Sequence, residues 1–287
     1  MAGITSGSVS EQASLKTIEA AMQHGIHWFD TAFFYGLDGE CDRFLGQCIR
    51  GRRDQVGVIG KAGQRWTSNR QRAIDCSPST LIADAETSLR RIGTEYFDLF
   101  MLHAVDPNVD LRVSAEAIAE IQRRGLSKQV GVCNVDLPQL ETFTSIVRPS
   151  AVQLPLNMLQ REILQDLVPF CRSRAIAVHV YWVLMKGILA GKISRTHQFP
   201  EGDSRPKYEI YQGEQRERTH RCVDRLSQIA ADEKMTVAQL SIGWAISQPG
   251  ISAALVGAKR PDQIVETAAS KPLSAEILKK IEDAVES

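Results

Sequence analysis

Seven extended segments of this 287-residue chain each end on a polar or flexible residue, and helical periodicity fills the stretches between them. Asp30 closes IHWFD, Lys61 closes VGVIGK and His103 closes FDLFMLH; Asn134 follows QVGVC, Gln153 sits in AVQL, Tyr181 closes IAVHVY and Gly257 follows AALV. Strand alternating with helix constrains the fold severely, because parallel neighbours need a long crossover and a helix supplies it. The expected class is α/β, as a single (β/α)8 TIM barrel spanning 1–287. In such barrels chemistry collects where the strands end, on one rim. An acid, a lysine, a histidine and two side-chain amides on that rim read as an active site.

Composition narrows the function. Lys+Arg and Asp+Glu both total 34, so the net charge is zero. That balance gives no clustered positive charge for nucleic acid or an anionic membrane. No apolar run approaches the ~20 residues of a membrane helix. The start, MAGITSGSVSEQ, lacks the basic-then-apolar pattern of a signal peptide. The six cysteines contain no CxxC pair and read as reduced thiols of a cytoplasmic protein. His24 and His27 have no second ligand pair beside them, so no metal site is expected.

The predicted helices cover SLKTIEAAMQH, 42–50, 78–91, 112–124, a stretch from Pro138, 163–174, 218–233, 236–247, 261–269 and 274–285. The predicted strands end at the rim residues above, the last running over 252–256. Residues 193–216 are polar, broken by Gly and Pro, and much longer than an ordinary connection; a rim loop over the site is expected. Only seven strand–helix units appear, where a closed barrel of this kind has eight. Residues 1–9 are too few and too rich in Gly and Ser to supply the missing strand.

Phe29-Asp30-Thr31-Ala32-Phe33-Phe34-Tyr35-Gly36 is where the chain becomes specific. It resembles the FDTAxxYG motif of the aldo-keto reductases. GKAG matches that family's strand-ending lysine, and DLFMLHAVDP resembles its DLYQLHxxDP histidine motif. GVCNVDLPQL is similar to GVSNFxxxQL, and AVQLPLNMLQRE to QxxYNLLxR. YWVLMKGILAGK resembles YSPLxxGLLTGK, and LVGAKRPDQIVET resembles IPGxRRPEQxEEN. The likeness runs in the family's order and spacing over roughly residues 10 to 270.

The resemblance implies a catalytic tetrad of Asp30, Tyr35, Lys61 and His103. Each residue alone has an ordinary structural explanation; their joint placement favours catalysis. Carbonyl reduction leaves charge on oxygen and needs a positioned proton donor. A free tyrosine, pKa ~10, is reluctant to ionise, and a neighbouring ammonium is expected to lower that value. Asp30 would hold Lys61, and His103 would hydrogen-bond the carbonyl oxygen. The resemblance also implies NADP(H), with NAD(H) as the alternative, laid across the rim. No GxGxxG run follows a strand, so a Rossmann phosphate loop is excluded. Asn134 and Gln153 would bind the nicotinamide carboxamide and Tyr181 would stack on the ring. Gly187, Leu189 and Lys192 would follow the pyrophosphate. Gly257, Ala258, Lys259, Gln263 and Glu266 would hold the adenosine end, and Lys259 with Arg260 could meet a 2′-phosphate.

The chain departs from the family at Cys133, Leu156, Trp182, Val183, Val256 and Thr267, none of them in the tetrad. Family members carry a β-hairpin floor and a first strand ahead of the opening helix. The barrel is therefore expected to lack both as written, with its natural start upstream of Met1 or as a short natural form. The expected activity is reduction of a small-molecule aldehyde or ketone by a monomer. The alternative from another class is a non-catalytic, nucleotide-sensing auxiliary subunit. Phe33, Phe34, Trp66 and the 193–216 loop could line an aromatic pocket, but the substrate itself is not legible.

Overall fold

The structure, a computed structural model, describes residues 9–286. In chain order its elements are α1 (Glu11–Gln23), β1 (Trp28–Asp30), α2 (Glu40–Ile49), β2 (Gly57–Ala62), β3 (Gln64–Trp66), β4 (Arg72–Ile74) and α3 (Pro78–Ile92). Next come β5 (Phe97–Leu102), α4 (Leu111–Arg123), β6 (Ser127–Cys133), α5 (Leu137–Ile146), β7 (Ala151–Pro155), α6 (Leu167–Ser173) and β8 (Ala177–Tyr181). The chain closes with α7 (Gly213–Asp232), α8 (Val237–Ser247), β9 (Ile251–Ala254), α9 (Pro261–Ala268) and α10 (Ala275–Glu286).

Seven strands form one parallel sheet in the order β1-β2-β5-β6-β7-β8-β9. β2 and β5 are buried almost throughout, on both faces, so they read as near-continuous apolar runs rather than alternating ones. Ile59, Leu99, Met101, Cys133 and Ala151 fill the interior of the curled sheet, while the far larger outer cluster packs strands against helices. Small side chains set the spacing: a Cβ at Gly131 would stand 2.3 Å from the Ala151 carbonyl oxygen of the next strand. Among the described residues β1 and β9 do not pair with each other, yet α1 packs against α9 and completes the outer ring of helices.

The expected parallel strand–helix alternation is present. The anticipated loss of a floor hairpin and first strand concerns residues outside those described. Three local readings need correction. Residues 64–74 form an antiparallel hairpin, β3 with β4, where only a connection was expected. Helix α7 begins at Gly213 rather than 218. The segment 163–174 is a short 3-10 turn (Glu162–Leu164) followed by α6, because the Asp166 carboxylate accepts from the Leu167 amide and starts a fresh helix.

Candidate active site

The chain beyond β1 keeps hydrogen-bonding along β2, and this assembles the site. Thr31 N donates to Ile59 O at 2.8 Å and Phe33 N to Lys61 O at 2.9 Å. Tyr35 N then turns back to Ala32 O at 2.9 Å. Asp30 lies in register with Ile59, so Lys61, two residues on, points from the same face one level higher.

Lys61 is 0% exposed. Its Nζ donates to Asp30 Oδ1 and, at 2.8 Å, to Thr31 O, and stands 4.9 Å from the centre of the Tyr35 ring. Burial disfavours the ammonium, but Asp30 and then Tyr35 outweigh it and hold the pKa above the usual lysine range. Thr31 is fixed in turn by its hydroxyl, which donates to buried Asp42 at 2.6 Å.

Tyr35 behaves differently from the expectation. Burial dominates its titration, and although Lys61 pulls the other way the phenol is pushed up to about 12. Tyr35 is thus a protonated phenol across the physiological range. His103 packs edge-on to Tyr35, ring centres 5.6 Å apart at 77°. Burial, then the charges of Lys61 and Arg72, lower its pKa well below the ordinary value, so the imidazole is neutral.

Asn134, Gln153 and Tyr181 reach the same rim. Asn134, held at φ 58°, donates from Nδ2 to the His103 carbonyl at 2.8 Å and accepts from the Tyr181 hydroxyl at 2.5 Å. Gln153 Nε2 donates across the barrel to the second oxygen of Asp30 at 2.8 Å. Both amides, expected to serve a nicotinamide, here hydrogen-bond to His103 and Asp30.

The remaining positions follow β8 and β9. Gly187 and Leu189 lie in the 3-10 segment Met185–Ala190, where Gly187 adopts φ 101°. Leu189 is fully buried, and its carbonyl accepts from Ser241 at 2.9 Å. Lys192 is ion-paired with Glu266. Gly257 has open space where a Cβ would stand, and Ala258 is buried. Gln263 Oε1 accepts from the backbone of Lys259 at 2.8 Å and of Arg260 at 3.2 Å, and Arg260 pairs with Asp262 at 2.9 Å.

Sequence reasoning named Phe34 and Trp66 as possible pocket residues but missed the hairpin that carries Trp66 and Arg72 beside this rim. Trp66, on the unexpected hairpin, donates to Phe34 O at 3.1 Å and Gly36 O at 2.8 Å and stacks on Phe34, ring centres 4.5 Å apart. Arg72, on the same hairpin, stands 5.6 Å from the Phe34 ring. The polar turn TSNRQ between QRW and RAI was the available signal. The 193–216 stretch does pack on the rim: the Tyr211 hydroxyl donates to Lys186 O at 3.1 Å, and Tyr208 meets Trp182 with ring centres 6.4 Å apart.

Comparison with known proteins bears on the family and the fold. The Aldo/keto reductase family profile matches residues 1–286. The chain is 31% identical over 261 residues to aldo-keto reductase YhdN of Bacillus subtilis, covering 90% of this chain and 78% of that protein. The fold matches glycerol dehydrogenase AKR11B4 from Gluconobacter oxydans with a TM-score of 0.90 at 26% identity, over 99% of this chain and 88% of that one. An aldo/keto reductase from Klebsiella pneumoniae, solved with NADP and acetate, matches with a TM-score of 0.73 at 25% identity, over 95% and 85%.

Proposed function

This chain belongs to the aldo/keto reductase family, and from that membership we propose that it reduces a small aldehyde or ketone with NADP(H), Tyr35 delivering the proton. The observation that carries the reading is the buried Asp30–Lys61 pair placed directly against Tyr35 and beside a neutral His103. The rim suits a nicotinamide dinucleotide. Two carboxamides, able both to donate and to accept, stand beside an aromatic ring at Tyr181. Gly257 leaves backbone open to close approach.

When bound, the nicotinamide supplies a hydrogen with its electron pair to the carbonyl carbon. This chain's residues manage the oxygen. Neutral His103 donates a hydrogen bond that orients the carbonyl and stabilises the developing charge. Tyr35 transfers its phenolic proton to that oxygen, breaking its own O–H bond as the new one forms. Lys61, already ammonium, stabilises the phenolate left behind, and Asp30 keeps Lys61 charged and in place. The NADP complex of the Klebsiella relative supports this choice of cofactor.

The test is a titration of the protein with NADPH and NADH, followed by quenching of its four tryptophans, then NADPH consumption against a panel of aldehydes. Saturable binding, tighter for NADPH, with at least one aldehyde reduced is the expected result. Cofactor binding with no carbonyl ever reduced would replace this reading with the nucleotide-sensing one.

A further inference from the structure

The loop that carries Tyr35 is tied at both ends to the first turn of α2, a helix the reaction above leaves unused. At the near end the Thr31 hydroxyl donates to Asp42 Oδ1 at 2.6 Å. At the far end Glu40 Oε2 accepts from the Asp38 amide at 2.8 Å. Between these ties the chain turns through Gly36 at φ 81°, where a Cβ would strike the same Glu40 oxygen. Glu40 and Asp42 both stand in the first turn of α2, where the helix dipole favours negative charge.

Asp42 is the unusual member of the pair. Its carboxylate is 0% exposed, makes no ion pair and leaves Oδ2 without a hydrogen-bond partner among the described residues. An acid buried on those terms burdens the fold, and it calls for a role beyond packing. Its partner Thr31 supplies one. Thr31 is held at three points: its amide donates to Ile59 O at 2.8 Å, its hydroxyl donates to Asp42, and its carbonyl accepts from Lys61 Nζ at 2.8 Å. A β-branched side chain has little freedom about χ1, so anchoring its hydroxyl fixes the residue that bears that carbonyl. The Lys61 ammonium has three N–H donors. Asp30 and the Thr31 carbonyl accept two of them, which leaves the third for Tyr35, whose ring centre is 4.9 Å away.

We propose that Asp42 is a positioning residue for proton transfer: by holding Thr31 it aims the Lys61 ammonium at Tyr35. Asp42 gains and loses no proton in the step and acts only through Thr31 and Lys61. The proposal rests on the reductase reading and adds to it a residue outside the tetrad.

The test is a double-mutant cycle on Thr31→Val and Asp42→Leu, measured with NADPH and an aldehyde that the unmodified protein reduces. Thr31→Val removes the hydroxyl and keeps the branched shape. It should lower kcat by about ten- to a hundred-fold, the scale of a misplaced reacting group, and leave NADPH affinity by tryptophan quenching unchanged. Slower proton delivery should also enlarge the fall of kcat in D2O. Thr31→Ser, which keeps the hydroxyl, should restore most of the lost turnover. Asp42→Leu alone strands the Thr31 hydroxyl and is liable to unfold. The double variant keeps the test open, because an apolar pair there replaces a hydrogen-bonded one. It should melt close to the unmodified protein and turn over no more slowly than Thr31→Val, since the two residues form one link.

A folded double variant with the kcat of the unmodified protein overturns the proposal. So does a kcat loss in Thr31→Val that Thr31→Ser fails to repair. A loss of NADPH affinity equal to the loss of kcat, or an unchanged D2O effect, also overturns it, because the link would then be structural alone. If the unmodified protein binds NADPH and reduces no aldehyde, the reductase reading itself fails and takes the proposal with it.

Discussion

Lys61 holds a full charge at a fully buried position, and that charge shapes its neighbours. It lowers His103 and opposes the effect of burial on Tyr35 without overcoming it. The sign of the resulting pH dependence follows. Reduction needs the phenol protonated, and a group with a pKa of about 12 keeps its proton below that pH. It also needs neutral His103, whose lowered pKa keeps it neutral down through its ordinary titration range. kcat/KM for reduction should therefore stay flat from about pH 6.5 to about pH 10, where an ordinary histidine and tyrosine would bound it. A falling limb centred near pH 8 would contradict the assignment. The reverse oxidation needs the phenolate and should rise across the same window. At the end of the rim proposed to hold adenosine, the Lys259 ammonium is the cation expected to meet a 2′-phosphate. Lys259→Ala should weaken NADPH by about ten-fold, the scale of one charge-assisted hydrogen bond, and NADH little. Equal weakening of both would place the 2′-phosphate elsewhere.

Strands and their ends were the legible elements. β2 and β5 are nearly continuous apolar runs because both of their faces are buried, and the polar residues at the strand ends stood out against such runs. Asp30, Lys61, His103, Asn134 and Tyr181 do meet on one rim. What could not be read is what the side chains bind. Gln153 braces Asp30 from across the sheet, a partnership 123 residues apart that no local pattern encodes. The hairpin with Trp66 and Arg72 escaped notice because its strands are three residues each and mostly polar. The net rise of the Tyr35 pKa was misjudged because burial, unlike a neighbouring lysine, leaves no mark in the sequence. At this scale Gly131 gives a sharp test. A methyl group there would strike the Ala151 carbonyl and part β6 from β7, the strands that bring Asn134 and Gln153 to the rim. Gly131→Ala should cost about 1–3 kcal/mol by urea unfolding, as overpacking does, and should weaken cofactor binding as well. Unchanged stability would mean that the strands part freely.

Across the whole molecule, the parallel sheet acts as a scaffold and chemistry occupies one rim of it. β1 and β9 are joined through the packing of α1 against α9, so a helix far from the rim secures the strand that bears Asp30. Ile18, 1% exposed on α1, should cost about 2–5 kcal/mol when cut to alanine, like other large-to-small core changes. A loss under about 0.5 kcal/mol, the scale of an ordinary surface change, would show that α1 does not hold the seam. The rim itself is a single device: a buried ion pair fixes a charge, the charge supports a phenol, and a neutral imidazole faces it. The most direct measurement is the turnover of Tyr35→Phe with NADPH and an aldehyde that the unmodified protein reduces, alongside its affinity for NADPH. The account predicts at least a hundred-fold loss of turnover, within the range attributed to a positioned acid, with cofactor affinity retained. Turnover equal to that of the unmodified protein would contradict it, and the proton would have to come from another group.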